Sequence, residues 1–119
     1  MRFMVMHYST EDNEAGVPPT PEQMAAIGEL MQDAAMNGVL LSGEGVHPSS
    51  KGARIEIHDG NLRVIDGPFA EAKELIAGFA ILECRNRDEA IEHAKRFASV
   101  VGAPHIDVRQ VVESKDLPS

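Results

Sequence analysis

The sequence is short of the features that would tie it to a covalent framework, a membrane or a nucleic acid. Its single cysteine, Cys84, rules out an intrachain disulfide. Basic residues are scarce: 11 Lys and Arg stand against 19 Asp and Glu, a net charge of −8 over 119 residues. Only Arg2 falls in the first fifty positions, against seven acidic residues there. Nucleic-acid affinity comes mainly from lysines and arginines that displace counterions, so nucleic acid is excluded as the leading ligand. No apolar run approaches the roughly 18 residues of a membrane helix. The longest, Leu75 to Leu82, contains Gly78 and stops at Glu83, so no membrane partner is expected. Met1 to Tyr8 is too short and too close to folded-looking sequence to read as a secretory leader, and a cytoplasmic protein is expected. No His-Glu-x-x-His, His-x-His or Cys/His spacing occurs, so neither a metal nor a cofactor is expected. Cys84 ends an apolar run and reads as a buried, inert thiol.

What is present reads as one domain over residues 1–115 with a frayed tail at 116–119. Residues 2–8 alternate Phe3, Val5 and His7 with Met4, Met6 and Tyr8, a strand with two apolar faces. Residues 9–19 are acidic and turn-rich, a surface loop. Thr20, Pro21 and Gln23 form a capping box with proline at the first helical position. The helix they open carries Met24, Ile27, Leu30, Met31, Ala34 and Ala35 on one stripe and stops at Gly38. Residues 39–46 form a strand broken by Gly43 and Gly45, where backbone comes close to another group or bulges. Asp59-Gly60 signals a two-residue turn joining strands 53–58 and 61–66. Its register pairs Ile55 with Val64, Ile57 with Leu62 and Ala53 with Asp66, which sets Asp66 on the apolar face.

Residues 75–84 form a second strand apolar on both faces, and Asn86 to Glu89 a second capping box. The helix after it is expected to bury Ile91, Ala94, Phe97, Ala98 and Val101. Gly102 and Pro104 end it, and Ile106, Val108 and Val112 alternate with Asp107 and Arg109 in a last strand. This order is the α+β, ferredoxin-like βαββαβ plan with an inserted β-hairpin. Two helices cover one face of such a sheet. Strands 2–8 and 75–84 need cover on both, so a homodimer packing its sheets face to face is expected.

The stretch Asp66-Gly67-Pro68-Phe69-Ala70-Glu71-Ala72-Lys73-Glu74 resembles the DGPF-motif branch of the YCII-related family. Leu41 to Gly52, Leu75 to Phe79 and Val108 to Val111 fit the same pattern, so the resemblance covers nearly the whole chain. It implies a dimeric α/β-barrel and little about activity. Some DGPF proteins are encoded beside alternative sigma factors, which implies a regulatory context. The YciI-type branch carries a His–Asp pair with its histidine on the first helix, and residues 21–38 here contain no histidine.

Asp66 is the leading candidate for chemistry. It is either a pocket carboxylate acting as base, with a pKa raised by burial, or an acceptor for backbone N–H groups of the Gly67-Pro68 turn. His47 either lines the same pocket as its catalytic partner or sits in a solvated loop. His7 is an alternative partner or a core histidine. Glu44, Ser49 and Ser50 offer polar contacts to a small-molecule ligand, and Arg54 offers an anion pair. Phe69 is a ligand contact or a core anchor; Lys73, with Glu71 and Glu74, belongs to a cleft or to a dimer-rim salt bridge. The acidic residues of the first fifty are expected away from the cleft. Three functions compete: a small-molecule-binding domain, an enzyme using Asp66 and a histidine for elimination, isomerisation or hydrolysis, and a purely structural dimer. An Asp66→Asn chain that keeps its stability but loses ligand binding marks a functional carboxylate, whereas equal loss of both, read by thermal melting and ligand titration, marks the turn role.

Overall fold

The computed structural model describes residues 1–118. Nine regular elements follow one another: β1 (Arg2–Tyr8), α1 (Glu11–Glu14), α2 (Pro21–Met36), β2 (Leu40–Gly45), β3 (Ala53–His58), β4 (Asn61–Asp66), β5 (Ile76–Glu83), α3 (Arg87–Val101) and β6 (Ile106–Gln110). Three 3-10 turns sit at Ser49–Lys51, Ala72–Glu74 and Ser114–Asp116. The main sheet has the order β2-β5-β1-β6, antiparallel throughout. This is the ferredoxin-like arrangement, with the hairpin β3-β4 added between the second and third principal strands.

The two strands with apolar residues on both faces, β1 and β5, are the two inner ones. Their register pairs Phe3 with Leu82, Val5 with Ala80 and His7 with Gly78 on one face. Phe3, Val5 and Leu82 are buried there with Cys84 and with Ala90 and Ala94 of α3, and Val108 and Ile106 of β6 pack beside them. Met4, Met6, Phe79 and Ile81 point to the opposite face, which carries no helix and stays half-buried. The expectation of an uncovered second face therefore describes the single chain.

Helix α2 starts as its capping box requires. The Thr20 hydroxyl accepts from the Gln23 N–H at 3.1 Å and the Gln23 side chain accepts from the Thr20 N–H at 3.0 Å. A similar box at Thr10 and Asn13 winds the one-turn α1 inside what reads as a loop. The second expected box is only half formed. Asn86 accepts from the Glu89 N–H at 2.9 Å, but the Glu89 carboxylate turns to Arg85 instead. Ala98 of α3 is exposed and Ala90 is buried, because the helix meets the sheet nearer its N-terminus than the apolar stripe suggests. Val112 lies beyond β6 and is 63 % exposed. In the tail, Asp116 belongs to a 3-10 turn and accepts from the Glu113 N–H; Ser119 lies outside the described residues.

The hairpin has the expected register at all six pairs, from Ala53–Asp66 to His58–Asn61. Asp59 and Gly60 both take positive φ, 49° and 82°, as a two-residue turn matched to strand twist requires. Its surroundings differ from a core, however. Ile55, Ile57, Leu62 and Val64 are 64–71 % exposed, because β3 and β4 form a separate sheet that stands off the body. The radius of gyration, 16.2 Å, exceeds the about 13.5 Å of a compact chain of this length for the same reason. Phe3 is the largest fully buried side chain. Phe3→Ala is expected to cost about 3–5 kcal/mol, read as a lower urea midpoint with an unchanged slope.

Candidate functional site

Toward the His7 end of β1, the helices no longer close on the sheet. A cleft of about 870 Å³ opens between α1, the start of α2, the β2 edge and the end of α3. That is within the about 300–1,000 Å³ of small-molecule sites. Two glycines shape its floor. A Cβ on Gly43 would come within 2.6 Å of the Met31 terminal methyl, so glycine lets α2 settle over β2. A Cβ on Gly78 would lie 2.5 Å from His7 Cε1 and 2.9 Å from the Glu44 carbonyl oxygen, so glycine makes the space in which the imidazole sits. The close backbone approach expected of the glycine-broken strand is thus made by Met31, across from Gly43.

His7 sits at the base of this cleft, edge-on to Phe97 with ring centroids 5.3 Å apart. Its Nδ1 is buried and has no hydrogen-bond partner among the described residues. Burial pushes the imidazole below its ordinary 6.5. An imidazolium here would bury both a charge and an unpaired N–H, so the ring is neutral near pH 7. His47 and Glu44, both exposed, also line the cleft. So do Asp12 and the 16–20 segment, which corrects the expectation that the acidic first fifty residues lie away from it. No Lys or Arg lines the cleft among the described residues.

The remaining candidates stand elsewhere. Asp66 is exposed at the base of the hairpin and lines no part of the cleft, so the reading of a buried pocket carboxylate is corrected for the single chain. Nor does its carboxylate hold the turn among the described residues: the Gly67 N–H donates to the Gly52 carbonyl at 3.1 Å. Ser49 is a framework residue rather than a ligand donor. Its hydroxyl donates to the Glu14 carboxylate and accepts from the Phe69 N–H at 2.9 Å, while its own N–H donates to Glu14 at 2.8 Å. One side chain thereby fastens α1, the 49–51 turn and the 66–69 segment. The Arg54 guanidinium lies over the half-buried Phe69 ring, 4.2 Å from its centroid, so it is stacked rather than aimed at an anion in the cleft. Ser50 and Lys73 are exposed and off the cleft.

Sequence reasoning missed the cleft walls Ile27, Met31 and Phe97, which share the apolar stripes of α2 and α3 with true core residues. The available signal was Gly78: a glycine facing a histidine across two inner strands marks room for a side chain that is not packed over. Cys84 is buried as expected, and burial, then the Glu89 charge, pushes its thiol up, which leaves it no nucleophile.

The YCII-related domain model matches residues 1–115. An uncharacterized protein of Rhizobium meliloti (strain 1021) is 31 % identical over 75 residues, and the match spans 60 % of each chain. Among solved structures, the fold is similar to 5-chloro-2-hydroxyhydroquinone dehydrochlorinase from Burkholderia phenoliruptrix AC1100, in complex with 2,5-dihydroxybenzoquinone. The TM-score is 0.56 at 14 % identity, over 97 % of both chains.

Two outcomes test this geometry. Gly78→Ala, which drives a methyl into the His7 ring, is expected to cost about 1–3 kcal/mol in a denaturant titration. Because folding lowers the His7 pKa, the unfolded chain binds the proton first as pH falls. The stabilisation from the neutral ring is therefore whole above about pH 6.5 and is lost as pH drops through the folded-state value. A His7→Gln chain should show a flatter stability profile just below pH 6.5 than the unmodified protein.

Proposed function

The chain belongs to the YCII-related family, and from that premise we propose that it binds a small, uncharged polar metabolite in the cleft above His7. The observation that carries this reading is the neutral imidazole at the base of an 870 Å³ cleft with a buried nitrogen left unpaired. The walls narrow the ligand class. Asp12 brings negative charge, Glu44 presents its backbone carbonyl beside Gly78, and no basic side chain offsets the charge among the described residues. An anionic ligand would be repelled, whereas one presenting hydroxyl donors finds acceptors. The motif Asp66 to Glu74 supports a place in the DGPF-motif branch, and the setting is cytoplasmic and regulatory in this reading.

The working unit in this reading is a homodimer. Its interface takes the Met4, Met6, Phe79 and Ile81 face together with the hairpin face of Ile55, Ile57, Leu62 and Val64. Two exposed apolar faces on one chain are uncommon for a monomer. Ile57 and Leu62 are 70 % and 71 % exposed in the single chain, so replacing both by lysine leaves the protomer's own packing intact. Sedimentation should give twice the chain mass for the unmodified protein and a smaller species for the double variant. A single-chain mass for the unmodified protein would sink the dimer.

The second reading is an enzyme. A neutral histidine with a lowered pKa is suited to accept a proton near neutral pH. The fold neighbour's name describes a dehydrochlorinase. In the corresponding elimination His7 would take a proton from the substrate as the leaving group departs. Hydroxylated aromatics and quinones, screened by thermal shift, should raise the melting temperature of the unmodified chain and not of His7→Gln. Turnover of a halogenated member, with halide release abolished in His7→Gln, selects the enzyme; binding without turnover selects the binding protein. Equal shifts for both chains, or none for either, overturn the placement of the site at His7.

A further inference from the structure

At the end of β1 and β5 opposite His7, the fold brings together three side chains that the cleft does not use. The Cys84 sulfur, a Glu89 carboxylate oxygen and a His93 ring nitrogen all lie within 4.8 Å of one another. We propose that Cys84, Glu89 and His93 form a binding site for a divalent transition-metal cation, with zinc as the cation their chemistry favours.

The placement follows from two local rules. Glu89 and His93 are four residues apart on α3, which stacks their side chains on one helix face. Cys84 directly follows β5, and its N–H donates to the Met1 carbonyl at 2.8 Å, which ties it to the start of β1. The first turn of α3 is fixed by the Asn86 cap. Two ligands therefore sit on a capped helix and one just past the strand it packs against.

Donor type and charge both select the cation. A thiolate, an imidazole and a carboxylate are the ligands zinc takes, whereas calcium and magnesium take oxygen alone. Thiolate plus carboxylate carry two negative charges, which a dication neutralises, so the partly buried site is left without net charge. Coordination displaces the thiol proton, one proton leaving for each sulfur–metal bond formed. Metal–ligand bonds of about 2.0–2.3 Å in a tetrahedron place donors about 3.3–3.7 Å apart. The three groups must therefore close by about 1 Å, which the Glu89 side chain can supply by leaving Arg85. The Arg85 side chain is 88 % exposed, so that ion pair offers little resistance. Three protein ligands leave the fourth tetrahedral position to water.

Cobalt(II) is the probe, because thiolate coordination gives a charge-transfer band and tetrahedral geometry gives intense visible bands. Titrating the full chain should saturate at one cobalt per chain with release of one proton, and zinc should displace the cobalt. Both signals should vanish in Cys84→Ser. His93→Ala and Glu89→Gln, on the less buried helix face, keep the test open if the cysteine variant folds poorly. Each should weaken binding at least as much as the about 10–100-fold that follows from loss of a mere supporting contact. Absence of the charge-transfer band in the unmodified chain overturns the site. So does a band that both helix variants leave unchanged, which would mark adventitious binding by the thiol alone.

Discussion

The close seat of α3 on the two inner strands is the contact on which the rest of this fold depends. Ala90 and Ala94 are small enough to bring the helix down onto Phe3, Val5 and Leu82, and together with Cys84 these form the buried apolar core among the described residues. Nothing comparable holds α2, which has no fully buried residue. The helix layer is therefore tight at one end of the sheet and open at the other. At the tight end a strand-end cysteine is pressed against a helix face. At the open end the same pair of strands carries His7 and Gly78 to a space that no helix fills. Both candidate sites are consequences of one lopsided packing.

Glycine sets the finer geometry where elements meet. Met31 lies over Gly43, the imidazole of His7 over Gly78, and the Ser49 carbonyl against Gly67. A Cβ would collide with backbone at Gly67 and Gly78, so those approaches need glycine, whereas at Gly43 it would meet only the flexible end of Met31. The Gly67 contact works together with the Ser49 hydroxyl, which holds Glu14 and the Phe69 N–H. The 66–69 segment is thus tied to α1 and to the wall of the cleft, although Asp66 itself points elsewhere. Its sequence specificity has a framework explanation within the single chain, through the turn it builds rather than through its carboxylate.

Features governed by neighbours along the chain were legible in the sequence. The Asp59-Gly60 turn fixed six strand pairs, Thr20 and Gln23 fixed the start of α2, and Gly38 and Gly102 marked helix ends by their positive φ. The apolar residues on both faces of residues 2–8 and 75–84 match their place as the two inner strands. What was not legible depends on which apolar stripe meets which. Ile55 and Leu62 alternate as a buried strand face does, yet they face solvent in the single chain because the hairpin forms its own sheet. Alternation says that a face is apolar, not what covers it. Asp66 was misplaced by the same step, since sharing a face with apolar residues implied burial only if that face was covered. Cys84, Glu89 and His93 escaped notice because their spacing spans a strand, a cap and a helix turn, and matches no motif contained in one element.

The opening charge count gains meaning from where its members fall. A deficit of basic residues in the first fifty positions reads, in sequence, as an argument against a phosphate-binding surface, but it says nothing about a cleft until Asp12 is found lining one. There the same deficit becomes selective. Lysine or arginine at the rim would draw anions in and would tend to hold His7 neutral by repulsion. With none there, burial alone lowers the ring's pKa. A shift set by burial alone places the imidazole away from water among the cleft's apolar walls, Phe97 among them. The cleft is therefore graded: acidic and wet at its mouth, apolar along its walls, with one neutral polar group at its base. A ligand matching that gradient carries no net negative charge, has a flat or apolar body, and ends in a group that can share a hydrogen with a ring nitrogen.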